Sequence, residues 1–314
     1  MENTEKRGNM ISLLNLPEST LDCILKRLTP IELIKMSEVC TCLRDVCRSD
    51  HLWENYIKQK WGRIIGDAAY KEWQCHITTI KSEETLLNQH INQNGSLGSF
   101  CGAWPVLSLG SYLEDCKHLQ SFLSNNSMMA LYLSLESGKF WFPAQVYRGT
   151  LVRDALFSYD SKNDTFKARQ RSGGWQLMGH GISWENLRAS PVETPPCVRH
   201  VSDCLEDLKP GDHIEIQWKL RSETHYDWWY AVIGHLDSCN KNENYCLCCN
   251  SETLVVEFRQ YPHGASMRQA KLPRHNNGEQ GGNQIGFYGG IRKLHSEEEI
   301  EKWKVLLPYD RRYM

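Results

Sequence analysis

The chain is 314 residues long, about twice the ~150-residue scale of one domain, so a small module joined to a larger domain is expected. Lys and Arg number 36 against 38 Asp and Glu, a net charge of −2, so no global field draws the chain to nucleic acid or acidic lipid, and no direct nucleic-acid partner is expected. Hydrophobic residues make up 40%, yet the densest apolar run, Met128 to Leu135, is far shorter than the roughly 18 residues of a bilayer span, so no membrane partner is expected either.

The opening MENTEKRGNM is polar and lacks the apolar core of a signal peptide, which reads as a disordered tail over 1–15 on a cytoplasmic or nuclear protein. Thirteen cysteines, an odd count spread over both halves, read as reduced thiols rather than a disulfide framework.

From Leu16 the chain runs LPESTLDCILKRL, and Leu21, Ile24, Leu25 and Leu28 fall at i, i+3, i+4 and i+7, one stripe of a short helix with Pro17 in its first turn. Thr29-Pro30-Ile31-Glu32 has the form of a capping box and starts a second helix. Ser37 opens a third segment carrying Val39, Cys40, Leu43 and Val46. Asp50 caps a fourth, with Leu52, Trp53, Tyr56 and Ile57. Four helices in under about fifty residues bury too little surface to be robust alone, so some apolar groups are expected to meet a neighbouring domain or a partner.

These residues resemble an F-box: Leu16-Pro17, Leu21, Ile24-Leu25, Leu28, Pro30, Leu33, Met36, Val39-Cys40, Leu43-Arg44 and Leu52-Trp53 match in order and spacing, giving a domain over 16–62. Leu43 departs from the Trp or Phe that many F-boxes carry there, but keeps an apolar side chain. The resemblance implies that Leu16, Pro17, Leu21, Ile24, Leu25, Leu28, Pro30, Leu33, Met36, Val39, Cys40, Leu43, Leu52 and Trp53 dock on the Skp-type adaptor of a cullin-RING (SCF) ubiquitin ligase. The chain would then be the substrate receptor for an unidentified protein target, needing neither catalytic residue nor cofactor. In the alternative, the chain is a stand-alone binding module for methylated tails or carbohydrate, and its F-box controls only its own turnover.

Residues 63–126 keep a broken helical pattern (Ile64, Ile65, Tyr70, Trp73, Ile77, Ile80, Leu86, Leu87, then Ser111 to Ser124) around a Gly/Ser loop, and read as a helical linker. From 127 the pattern turns to short apolar runs of period two: MALYLSL, FWFPAQVY, ALFSY, GDHIEIQWKL, DWWYAVIGHL and TLVVEFRQY. The fold class is therefore multidomain α+β: an all-α F-box, a helical linker, and an antiparallel β-rich domain over 127–314, barrel or sandwich. A terminal helix is expected from Ser296, where Ser-x-x-Glu299 repeats the capping-box form ahead of Ile300, Trp303 and Leu306.

Two aromatic clusters align, Trp141-Phe142-Pro143-Ala144 and Trp228-Trp229-Tyr230-Ala231, as an internal repeat would. The second lies in a pattern similar to Agenet and Tudor-like barrels, in which rings cage a methylated Lys or Arg by cation–π attraction. Trp141, Phe142, Tyr226, Trp228, Trp229 and Tyr230 are the candidate target-binding residues, with Trp218 as a further ring and Asp227 or Glu215 as the carboxylate. The competing reading is core filler, since strand alternation sends half of them inward.

Cys239, Cys246, Cys248 and Cys249, with His235 upstream, offer enough soft ligands for zinc, but the spacing departs from paired C-x2-C knuckles. They read as reduced loop thiols, with zinc the alternative and no metal or cofactor expected. The glycines from Gly278 to Gly290 lack the Lys-Ser/Thr of a phosphate loop and read as a flexible loop returning to a strand at Ile291. No nucleophile elbow, HExxH or kinase signature occurs, and His180, His200, His213 and Cys197 stand singly, so no enzyme activity is expected.

Overall fold

The computed structural model describes residues 13–75, 77–78, 127–171, 175–196, 198–221, 224–239, 246–274 and 286–307. Most of the expected 1–15 tail, the linker from residue 79 to 126 and the glycine run from 278 to 285 lie outside them. The chain divides into two units: Met1–Arg63 with Trp73–Phe140, and Ile64–Glu72 with Trp141–Met314. No described helix is long and apolar enough to cross a membrane.

The first unit is helical. Leu13–Asn15 form a 3-10 turn, where a disordered tail was expected. Four helices follow: α1 (Glu18–Leu25), α2 (Pro30–Ser37), α3 (Thr41–Cys47) and α4 (Asp50–Tyr56). Pro17 sits just before α1 rather than inside its first turn. The α2 box forms as expected: Glu32 N–H donates to Thr29 Oγ1 at 3.3 Å, and Thr29 N–H donates to Glu32 Oε2 at 2.7 Å, which satisfies two otherwise free donors. Residues 67–75 are helical (α5), with 67–72 counted in the second unit.

Two local expectations change. Met129–Leu135, expected as a strand, lies in a helix, α6 (Ser127–Glu136). Met129, Ala130, Leu131, Tyr132, Ser134 and Leu135 are all buried, and a run apolar on every side carries no period by which helix and strand can be told apart. Asp50 does not cap its own helix. Its carboxylate accepts from the Met128 N–H and the Ser127 hydroxyl, both at 2.9 Å, and so satisfies the start of α6. The Tyr132 ring of α6 then packs against that of Trp53, tilted by 57° with the ring centres 5.3 Å apart.

Among the described residues the second unit holds ten strands: β1 (Phe142–Arg148), β2 (Leu151–Asp160), β3 (Thr165–Arg171), β4 (Trp175–Ile182), β5 (Leu187–Ala189), β6 (His213–Lys219), β7 (Asp227–Gly234), β8 (Thr253–Phe258), β9 (Gln269–Pro273) and β10 (Phe287–Lys293). They make one antiparallel sheet in the order β10-β6-β7-β2-β1-β5, with β3-β4 branching from β2 and β8-β9 from β7. The sheet curls because two strands change neighbours along their length. β2 pairs with β7 at Leu151 and Val152 and with β3 from Leu156 onward; β7 pairs with β2 at Trp228 and Trp229 and with β8 from Ala231 onward.

The centre of the unit is β7, which is covered on both faces. Trp229, Ala231 and Ile233 join one apolar cluster with Ile216, Leu254 and Phe258. Trp228, Tyr230 and Val232 point the other way, into a cluster with Ile300 and Trp303 of the terminal helix α7 (Glu297–Leu306) and with Leu307, which follows it. This is why DWWYAVIG is continuously apolar rather than alternating. The α7 helix starts where expected, but Ser296 makes no side-chain cap; Glu299 instead accepts from Arg292 at 2.7 Å. Gly289 and Gly290, expected in a flexible loop, lie in β10 beside a register shift. A Cβ on Gly290 would sit 2.4 Å from the His200 carbonyl oxygen, so the strand needs glycine there.

Candidate functional site

In the helical unit the residues expected to bind the adaptor divide by exposure. Leu21, Leu25, Leu33, Leu43, Leu52 and Trp53 are buried. Leu16, Leu28, Pro30, Met36 and Cys40 are half-buried, and Pro17, Ile24 and Val39 are exposed. Trp53 is held inside the unit, its indole N–H donating to the Cys47 carbonyl at 2.9 Å, and Tyr56 donates its hydroxyl to the Leu28 carbonyl. Most of the stripe found by helical spacing is thus the unit's own core. The exposed apolar side chains are Val39 at 69%, Ile31 at 65%, Leu14 at 44% and, from the stripe itself, Ile24 at 36%. Ile31 and Leu14 lie off the stripe, so spacing passes over them. Around Ile24 the polar groups are paired: the Asp22 carboxylate takes Lys26 at 2.6 Å and His51 at 2.7 Å, hydrogen bonds that hold it below its ordinary range.

In the β unit the aromatic cage is not built. Trp141, Phe142, Trp218, Trp228, Trp229 and Tyr230 are all buried, as the two-faced packing of β7 requires. The cations over the candidate rings belong to the chain itself: the Arg169 guanidinium lies 4.0 Å from the Trp141 ring centre, and Lys219 Nζ lies 4.6 Å from that of Tyr226. The candidate carboxylates are engaged too. Asp227 takes Arg153 through two bonds of 2.6 Å.

Glu215 anchors a buried polar chain. Its oxygens accept from Arg188 at 2.8 and 2.9 Å, from Arg292 at 2.9 Å and from the Trp303 indole at 2.5 Å. Arg188 continues to Gln145 at 2.7 Å, Gln145 to Asp154 at 2.7 Å, and Asp154 accepts from the Trp228 indole at 2.8 Å. Burial works to raise the Glu215 carboxyl, but Arg188 and then Arg292 outweigh it and hold it at about 2. Asp154 faces no such pair of cations; burial lifts it to about 6 against its bonds from Gln145 and Trp228. Each member has its partners, so the chain ties β1, β2, β5, β6, β7 and β10 to α7 as a structural lock.

The cysteines converge more closely than their spacing suggests. His235 Nδ1 lies 3.5 Å from Cys239 Sγ, 3.5 Å from Cys246 Sγ and 3.8 Å from Cys248 Sγ, and Cys239 and Cys246 are 3.6 Å apart. All four ligand atoms lie within 4.8 Å of one another. The fourth member is His235, and Cys249, its neighbour in sequence to Cys248, does not belong to the group. Burial pushes the Cys248 thiol up to about 11, with the Leu236 N–H pulling the other way.

The F-box domain family matches residues 13–55, the stretch that holds α1 to α3, most of α4 and the exposed side chains Leu14, Ile24, Ile31 and Val39. Across the whole chain, F-box protein At2g26850 of Arabidopsis thaliana is 44% identical over 311 residues, covering 95% of this chain and 83% of that protein. F-box protein At2g41170 of Arabidopsis thaliana is 42% identical over 314 residues, covering 96% and 84%. The likeness extends through the β unit, well beyond the helices. The chain belongs to the F-box protein family.

Proposed function

We propose that this chain is the substrate-recognition subunit of an SCF-type ubiquitin ligase, its F-box helices binding the Skp-type adaptor and thereby the cullin-RING core, and its β unit holding a protein target. The observation that carries the reading is the set of exposed apolar side chains, Leu14, Ile24, Ile31 and Val39, on a helical unit whose own core is already filled by Leu25, Leu33, Leu52 and Trp53. Falling within the stretch matched by the F-box domain family, they are the apolar side chains there that a partner can cover.

In this reading the chain supplies position rather than bond chemistry. It holds the lysines of a target near a ubiquitin-charged enzyme and so raises their effective concentration. The work takes place in the cytoplasm or the nucleus. The methylated-tail reader has less support, because its candidate rings other than Tyr226 are buried.

The test is affinity purification from cells with the proteasome blocked, comparing the wild type with Ile31→Asp/Val39→Asp. The wild type recovers adaptor, cullin and a further protein; the variant keeps the further protein and loses adaptor and cullin. Equal recovery of the adaptor by both forms would overturn the proposal.

A further inference from the structure

We propose that His235, Cys239, Cys246 and Cys248 form a structural zinc site that closes the connection between β7 and β8. A tetrahedral ion with Zn–S of about 2.3 Å and Zn–N of about 2.0–2.1 Å places its sulfurs about 3.8 Å apart and nitrogen and sulfur about 3.5–3.6 Å apart. The donor atoms stand at 3.5, 3.5 and 3.8 Å for nitrogen to sulfur and 3.6 Å for Cys239 to Cys246. Four of the six donor–donor edges are thus close to these lengths, and the other two, from Cys248 to Cys239 and to Cys246, lie within 4.8 Å, so the four atoms can surround one ion of this size. Three thiolates and an imidazole are also the donor set that favours zinc over the hard cations, which take oxygen.

The surroundings hold the donors in place. The Leu236 N–H donates to Cys248 Sγ at 3.4 Å, the backbone bond that stabilises a metal-bound thiolate. The carbonyl of Cys248 accepts from Arg274 at 3.2 Å. That buried guanidinium also binds the carbonyls of Leu208 at 3.2 Å and Ser251 at 2.9 Å, fixing the turn that carries Cys248. His235 presents Nδ1 to the sulfurs, which leaves the proton on Nε2. Four protein ligands leave no open position for water or substrate, so the site is structural rather than catalytic.

Its place in the fold gives it a purpose. His235 directly follows the last residue of β7, Gly234, which pairs with Val255 of β8. Cys246 and Cys248 lie just ahead of β8, which starts at Thr253. An ion here pins both ends of the connection to the sheet, so the hairpin is held by its register and by a cross-link. Sequence spacing obscures this because the fourth ligand comes from the end of a strand and because Cys249, although adjacent to Cys248, is not a ligand.

The test uses the full chain, expressed in zinc-supplemented medium and purified without chelator, with metal content read by elemental analysis and native mass spectrometry. Wild type carries about one zinc per chain; Cys239→Ser and His235→Ala lose it, and Cys249→Ser keeps it. Replacement by cobalt(II) gives the intense visible absorption of a tetrahedral thiolate site, a wild-type readout that stands even if the ligand variants fail to fold. Wild type without stoichiometric zinc, zinc retained in both ligand variants, or a non-reduced, denatured chain with two thiols missing from its free-thiol count would overturn the proposal; the last outcome would assign a Cys–Cys bridge instead.

Discussion

The helical unit and the β unit both contain more apolar and aromatic residues than a solvated surface tolerates, but they dispose of them differently. In the β unit, β7 sends Trp229 to one apolar cluster and Trp228 and Tyr230 to the other, so its rings are used up in packing. In the helical unit, Leu25, Leu33 and Trp53 are buried in the core, while Ile31 on α2 and Val39 in the turn after it remain in solvent. The difference teaches that aromatic density does not locate a binding surface. Exposure alone does not locate it either, since Leu247, Val201 and Leu177 of the β unit are also in solvent; what sets Ile31 and Val39 apart is that they fall in the stretch matched by the F-box domain family.

That contrast breaks most visibly at the residues which look alike in sequence. Leu25→Asp places an unpaired charge in a position of zero exposure, and should cost upwards of about 4 kcal/mol through desolvation and lost packing together. The helical unit then melts at or below room temperature by circular dichroism, so loss of adaptor binding reports unfolding; a wild-type melting curve for this variant would contradict the assignment of Leu25 to the core.

In the β unit the corresponding lesion is Glu215→Ala, which strands Arg188 and Arg292. Breaking one side of a buried ion pair costs about 3–5 kcal/mol, to be read from urea unfolding, and a loss under about 1 kcal/mol would show that the lock contributes little. The same group sets an acid limb. Burial works against the charged form, but Arg188 and Arg292 hold Glu215 at about 2 against an ordinary 4.5, so its contribution is complete above about 4.5 and is lost as pH falls toward 2. Asp154 acts in the opposite sense: raised by burial to about 6 from 3.8, it favours the fold below 3.8 and loses that contribution as pH rises through 6. Asp154→Asn should therefore flatten the change in stability between about pH 4 and 6, measured as the difference in unfolding midpoint from wild type; an unchanged profile would remove Asp154 from the account.

Much of this was readable from sequence wherever the cause is local. The Thr29–Glu32 box spans three residues and forms as its pattern dictates. The similar Ser296–Glu299 pattern starts a helix but makes no cap, because Arg292 captures Glu299, a competition that no four-residue motif records. Met129–Leu135 lost its period through being buried on nearly every side. The F-box was legible as a family, and the residues picked from it include the exposed Ile24 and Val39 as well as the buried Leu25 and Trp53; helical spacing passes over the exposed Ile31. The convergence of the cysteine group was not legible in its spacing: His235 and Cys246, eleven residues apart, meet because β7 ends where the turn before β8 begins.

A smaller effect sharpens the local side of the comparison. Thr29→Ala removes one half of the α2 box and should cost about 1 kcal/mol, seen as a modest fall in the melting temperature of the helical unit with adaptor affinity little changed. A loss of several kcal/mol would mean that the box carries tertiary contacts as well.

The most direct test of the central claim is a calorimetric titration of the full chain with purified Skp-type adaptor, run on wild type and on Ile31→Asp/Val39→Asp with their melting curves alongside. Both substitutions fall on exposed side chains, so stability should stay within about 0.5 kcal/mol while affinity drops by about tenfold or more as apolar area is lost from the contact. Unchanged affinity with an unchanged melting curve would contradict the account and move the docking surface elsewhere on the helices.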